Sequence, residues 1–248
     1  MNILVCISQV PDTTTKIAIG ADGASMNPAG VKFILNPYDE FAIEAGLRLK
    51  EQHGGTVTTM TVGPETSKEV LRTALAMGSD AAVIVKDASR GDSFVVASAI
   101  AEYATELAPD VIIFGRQSID FDSFALPSMV AEMLGWPDVS TVSSLSIESG
   151  TVTADSDIEG GRQHVTATLP CVISAQKGLY DPRYPKLPDI MKAKSKPIAE
   201  REPSSAQPRV AAVSMNLPES KRLNKVFTDS DADIHELVRL LHEEAKVI

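Results

Sequence analysis

The chain has 248 residues, 44% of them hydrophobic and 23% charged, with a formal net charge of −10. That length and apolar content suit one α/β domain with a full core and room for an appendage, and the acidic balance argues against a nucleic-acid surface. With no apolar run of about 18 residues and no charged-then-apolar leader, the sequence reads as a soluble, cytoplasmic protein.

Cys6 and Cys171 lie in separate apolar runs and offer neither a disulfide framework nor metal-ligand spacing. His53, His164, His235 and His242 are scattered and read as surface or capping residues.

Asn2 to Ile7 is a buried strand at the N-terminus, and Ser8 to Gly30 is a turn-rich connection with room for a small hairpin. Val31 to Leu35 is a short extended run. Asn36 then suits an N-cap worth about 1 kcal/mol, with Pro37 in the first turn and Asp39 and Glu40 complementing the helix dipole. Phe41, Ala42, Ala45, Leu47 and Leu49 supply the buried side of that helix.

Thr56 to Val62 reads as a strand and Thr66 to Met77 as a helix with Leu71, Ala74 and Leu75 inward. Gly78 follows in the left-handed conformation. Ala81 to Val85 and Ser93 to Leu107 repeat the unit. Asp110 to Phe114 is a β-branched run without alternation, as in a parallel strand covered on both faces. Gly115 to Asp122 is a glycine-led polar loop, and Ser123 to Leu134 returns to helical spacing, so a helix N-terminus faces the loop as it would face an anion. The same pattern also describes an ordinary strand-to-helix connection.

This alternation predicts a parallel sheet with ligands beyond the carboxyl ends of its strands. Cys6 to Gln9, Val62 to Glu65 and Gly115 to Asp122 then converge. Neither a Walker-type loop nor a Gly-x-Gly-x-x-Gly after the first strand is present.

After Trp136 the texture changes. Val142 to Ile147, Thr151 to Ile158 and Gln163 to Leu169 are alternating runs separated by hairpin punctuation, which predicts an antiparallel extension. Cys171 to Ala175 is a last buried strand. From Lys177 to Arg201, seven Lys/Arg against three Asp/Glu make a basic island of +4, leaving −14 for the remainder. Its prolines hold the backbone extended before a short helix at Pro188 to Ala193, and Leu, Ile and Met framed by Lys and Arg have the composition of a docking loop. A loop tucked onto its own domain is the alternative. Glu202 to Pro218 is linker-like, and a helix from about Ser230 carries the stripe Ile234, Leu237, Val238, Leu241 and Ala245.

Three stretches carry a resemblance to a known family: Asn36 to Glu40 with its helix, Arg72 to Asp80, and Pro182 to Tyr184 continuing through Leu187 to Lys194. They are similar to the beta subunit of electron-transfer flavoproteins over essentially Met1 to Ile198. The resemblance implies a doubly wound, mostly parallel, Rossmann-like α/β domain at 1–198 with an antiparallel hairpin extension and a recognition loop at 177–196. It further implies a linker at 199–229 and a C-terminal helical arm at 230–248 that packs on an alpha subunit.

The function implied is that of an electron carrier rather than an enzyme. A heterodimer whose alpha subunit holds FAD would pass electrons from a dehydrogenase to a quinone reductase or another acceptor, with AMP, a second FAD or no nucleotide in the beta pocket. Carried over by position, that pocket comprises Cys6, Asn36, Pro37, Tyr38, Asp39, Val62, Gly115, Arg116, Gln117, Ser118, Ile119, Asp120, Phe121, Asp122, Ser123, Phe124, Ala125 and Leu126, with Tyr38 near the partner's flavin. Arg183, Tyr184, Leu187, Ile190, Met191 and Lys192 form the partner-binding set, and Leu187 is the apolar anchor.

The chain departs from the family at the helix start. A polar Asp-x-x-Gln-Thr/Val-Gly pattern is usual, whereas here Ser123-Phe124-Ala125-Leu126-Pro127 follows Asp122. A stand-alone ATP-binding protein of the universal-stress type predicts a Gly-rich phosphate loop that is missing, and a purely structural partner subunit predicts dimerisation without nucleotide.

Overall fold

The computed structural model describes residues 1–87, 92–218 and 224–248. A nine-stranded sheet runs in the order β11-β5-β4-β1-β6-β10-β7-β8-β9. Its strands are β1 (Asn2–Cys6), β4 (Thr56–Gly63), β5 (Ala81–Lys86), β6 (Val111–Gly115), β7 (Asp138–Glu148), β8 (Thr151–Ile158), β9 (Gly161–Thr168), β10 (Cys171–Ala175) and β11 (Ala199–Arg201). Every pairing from β11 to β7 is parallel, and β7, β8 and β9 form the antiparallel extension. A separate antiparallel pair, β2 (Gln9–Pro11) and β3 (Phe33–Leu35), closes the N-terminal connection.

Alternation along the central strands divides the core in two. Ile3 and Val5 of β1 and Val111 and Ile113 of β6 pack under α1 (Pro37–His53) and α2 (Lys68–Met77). Leu4, Cys6, Ile112 and Phe114 pack under α3 (Ser93–Leu107) and α4 (Ala125–Leu134) on the opposite face. Burial on both faces is why these strands read as unbroken apolar runs. The order turns at β1, with β4 on one side and β6 on the other, which creates a crevice at the carboxyl ends of β1 and β6.

Helix α1 lies very close to the sheet. A Cβ at Gly46 would stand 2.9 Å from Val5 Cγ2, so only glycine permits that approach. Asp92 caps α3 by accepting from the Phe94 N–H, and Ser230 caps α6 (Asp231–Glu243) by accepting from the Asp233 N–H. The expected cap at Asn36 is not made. Its side chain bonds to no N–H of its own helix and reaches across to the loop after β6. Gly78 ends α2 at φ 133, positive but away from the left-handed helical region expected for it.

The sheet also takes in Ala199–Arg201, beyond residue 198. Glu200 of this strand meets Lys68 and Lys86, and Arg201 meets Glu106 at 2.6 Å.

The basic segment is clamped to the body at its root. Glu44 on α1 is fully buried and accepts a fork from Arg183, at 2.7 Å from Nε and 2.9 Å from Nη2, with Arg48 Nε at 2.7 Å. Burial raises the Glu44 carboxyl, but the hydrogen bonds from Arg183 and Arg48 outweigh it and leave the group below its ordinary value. Further along, Arg72 of α2 donates to the carbonyls of Ala193 (2.7 Å) and Lys196 and so holds α5 (Leu187–Ser195).

Breaking a buried ion pair from one side costs about 3–5 kcal/mol. Arg48 remains to Glu44 and the Arg183 side chain is 33% exposed, so Arg183→Ala is expected to cost less, about 2 kcal/mol in urea unfolding. An unchanged midpoint would show that the pair does not seat the segment.

Candidate functional site

The buried carboxylate of Asp39, in the first turn of α1, joins the ends of β1 and β6. It accepts from the Ser8 N–H (2.7 Å), the Ser8 hydroxyl (2.9 Å) and Asn36 Nδ2 (2.9 Å), and from the Gly115 N–H. Burial pushes its pKa up to about 7, against the pull of those donors. Asn36 extends the junction by donating to the Gln117 carbonyl (2.9 Å) and accepting from the Ile119 N–H (3.3 Å). Gly115 has no space for a side chain, since a Cβ there would lie 2.3 Å from Asp39 Oδ1 and 2.6 Å from the Tyr38 carbonyl carbon.

Beside this junction, at the crevice, is a cleft of about 140 Å³. Its walls come from four places. Ser8 and Gln9 follow β1. Val62, Gly63, Pro64 and Ser67 follow β4. Ser93 and Val96 open α3, and Phe114 to Ser118 with Asp120, Phe121, Ser123, Leu126 and Pro127 run from β6 into α4.

Of the residues expected from the sequence, Val62, Gly115, Arg116, Gln117, Ser118, Asp120, Phe121, Ser123 and Leu126 line it. Asn36, Asp39 and Ile119 brace its floor and loop. Asp122 accepts from Gln117 Nε2, while Pro37 and Ala125 begin α1 and α4. Cys6 is buried in the core under α3 and α4, where desolvation raises its thiol well above the ordinary value. Tyr38 and Phe124 do not line the cleft but lie at Arg116, whose guanidinium carbon is 5.6 Å from the Tyr38 ring centre and 4.9 Å from that of Phe124.

Ser8 and Gln9, and Gly63 and Pro64, come from the two stretches expected to converge here, and the Gln9 amide joins Thr66 and Ser67 across the cleft rim. Ser67, Ser93, Val96, Phe114 and Pro127 line the cleft from outside every expected site segment.

The segment after β10 presents a second surface. Tyr184 is 94% exposed and Leu187 72%, with Ile190, Met191 and Lys192 also outward on α5. Arg183, by contrast, is turned inward to Glu44.

The electron transfer flavoprotein domain model matches residues 25–206. The chain belongs to the electron transfer flavoprotein family. It is 39% identical to the electron transfer flavoprotein subunit beta of Bacillus subtilis over 259 residues, covering the whole of both chains. With the Bradyrhizobium diazoefficiens subunit beta it shares 36% over 249 residues, again complete, and with the human subunit beta 35% over 208 residues, 82% of each chain. Among the described residues no group of His, Cys, Asp and Glu forms a metal cluster, and no helix is long and apolar enough to cross a membrane.

The residues present fit the adenine nucleotide that the family resemblance implies. Val62, Val96 and Leu126 offer apolar contact to a base, and Arg116 supplies a cation.

Asp39 makes stability pH-dependent. Between its unfolded value of 3.8 and its folded value of about 7, the folded chain retains a proton that the unfolded chain has lost, so this group's contribution falls as pH rises through that window and is level above it. Wild type is therefore expected to lose urea stability relative to Asp39→Asn between about pH 4 and about pH 7. Parallel profiles for the two proteins would rule this out.

Proposed function

We propose that this chain is the beta subunit of a heterodimeric electron carrier, pairing with an alpha subunit that holds FAD and passing electrons from a dehydrogenase to a quinone reductase or another acceptor. The observation that carries this reading is the end-to-end match to beta subunits. Two surfaces support it. The arm helix α6 leaves Ile234, Leu237 and Val238 exposed along one stripe, an apolar face of the sort an alpha subunit covers. The α5 segment sets exposed Leu187 and Met191 among lysines, an anchor for an acidic-rimmed dehydrogenase. The cleft at β1 and β6 holds the adenine nucleotide, and Tyr38 faces the partner's flavin.

Co-purification with the alpha subunit, followed by denaturation and chromatography of the released nucleotides, tests the assignment. One FAD with one AMP is the expected result. Two FAD would move the reading to a two-flavin carrier, one FAD alone would leave the cleft without a ligand, and failure to form a complex would sink the proposal. Ending the chain at residue 229 is expected to weaken the heterodimer.

Burying a leucine contributes about 1.5–3 kcal/mol. Leu187→Ala is thus expected to weaken dehydrogenase binding at least about tenfold while leaving heterodimer assembly and flavin content unchanged. Equal affinity for the dehydrogenase would remove α5 from the docking surface.

A further inference from the structure

The stretch that reads as a linker lies along α3, antiparallel to it. Arg201 meets Glu106, with its guanidinium carbon 5.2 Å from the Tyr103 ring centre, and the Ser204 hydroxyl donates to Glu102 (2.6 Å). At the start of the helix the Arg209 guanidinium carbon stands 3.5 Å from the Phe94 ring centre. The Arg209 and Val210 N–H groups both donate to Asp92 Oδ2, the latter at 3.0 Å. Beyond α3 the Met215 N–H reaches the Gly23 carbonyl (2.8 Å). None of residues 201–215 is buried. Exposed polar contacts of this kind are individually weak, so such a strap opens locally without unfolding the domain.

Asp92 has a second duty. Its Oδ1 accepts from the Phe94 N–H (2.6 Å) as the cap of α3, and its carbonyl accepts from the N–H groups of Val95 (3.0 Å) and Val96 (3.3 Å). The Phe94 and Arg209 N–H groups hold the carboxyl below its ordinary value. Ser93 and Val96 of the same turn line the cleft. One residue thus fastens the strap on one side and orders a wall of the cleft on the other. A strap that leaves takes two donors from Asp92 and uncovers Phe94, which loosens the turn. A ligand packed on Ser93 and Val96 holds the turn in place and favours the fastened strap.

We propose that residues 201–215 form a latched strap whose docking at Asp92 and Phe94 is coupled, through the first turn of α3, to occupancy of the cleft. A nucleotide in the cleft fastens the strap, and an open strap weakens the nucleotide by the same factor. The inference rests on the adenine-cleft reading given under Proposed function. Because the strap precedes the arm helix α6, a filled cleft also shortens the free tether of that arm.

Trypsin reads the strap, because cutting after Arg209 requires the N–H groups of Arg209 and Val210 to leave Asp92. In the nucleotide-free full chain, saturating AMP is expected to slow cleavage at Arg209 at least about fivefold, with binding followed by calorimetry. Asp92→Ser keeps a capping hydroxyl for α3 but leaves the strap without its carboxylate. It is expected to speed cleavage at Arg209 and to weaken AMP by a factor similar to the slowing that AMP causes in wild type. If AMP binds and cleavage is unchanged, or if Asp92→Ser leaves either the cleavage rate or the AMP affinity as in wild type, the coupling is overturned and the adenine cleft stands. If AMP does not bind, the cleft reading fails and the coupling falls with it. Should Asp92→Ser not fold, Phe94→Leu removes the ring under Arg209 and keeps the carboxylate. Faster cleavage with weaker AMP then supports the strap, and a wild-type value for either excludes it.

Discussion

The buried carboxylate of Asp39 is the constraint on which the site depends. It gathers the end of β1 through Ser8, the start of α1 through Asn36 and the end of β6 through Gly115. These segments are far apart in sequence, and a buried acceptor left without donors costs about 1–3 kcal/mol, more if charged. The junction is therefore strongly favoured to form as a unit. Gly115 admits no alternative packing, because even one carbon would strike Asp39 and the Tyr38 backbone. With α1 pressed there, Asn36 reaches Gln117 and Ile119 and sets the course of the loop that carries Arg116.

The same helix serves the basic segment after β10. Glu44 lies a little over one turn beyond Asp39 and holds Arg183, while Glu51, farther along, takes a second contact from Arg183 at 2.8 Å. One rigid element thus registers both the cleft and the root of the exposed segment against the sheet. Beyond Arg183 the chain turns outward, and α5 is held chiefly from behind by Arg72 and by burial of Ala193. Its front can then be apolar at Leu187 without weakening the domain. A side chain that does not contribute to the core is under no packing constraint from the domain.

The central strands are legible in the sequence because burial on both faces leaves little besides apolar residues in them. The antiparallel extension is legible for the opposite reason, since one wet face imposes alternation on Thr151 to Ile158 and Gln163 to Leu169. Asn36 misleads because Asn before Pro with acids following is a local pattern for a cap, while the side chain answers to partners some eighty residues away. Arg183 sits in a run of basic residues that all look solvated, and nothing nearby in sequence marks Glu44 as its buried partner. Strand β11 is only three exposed residues held by edge pairing and by ion pairs to Lys68, Lys86 and Glu106, too short for any periodicity. Likewise Ser67, Ser93 and Val96 reach the cleft through the packing of α2 and α3, not through a local motif.

The two exposed apolar surfaces differ in chemistry, and the difference suits different lifetimes. The α6 stripe repeats along several helical turns, so it can be buried as a continuous seam, and a long seam favours a lasting subunit contact. The α5 surface is a smaller cluster, Leu187 and Met191 with Tyr184 and Ile190 also outward, on a segment that carries Lys186, Lys192 and Lys194. A small apolar anchor limits the binding energy, while a basic rim speeds encounter with an acidic face and lets salt tune it. In the proposed carrier role the chain has to leave each donor before it meets an acceptor, so affinity must stay modest while association remains fast. A small apolar cluster among lysines meets both demands, whereas extending the apolar patch would slow release without bringing the partners together sooner.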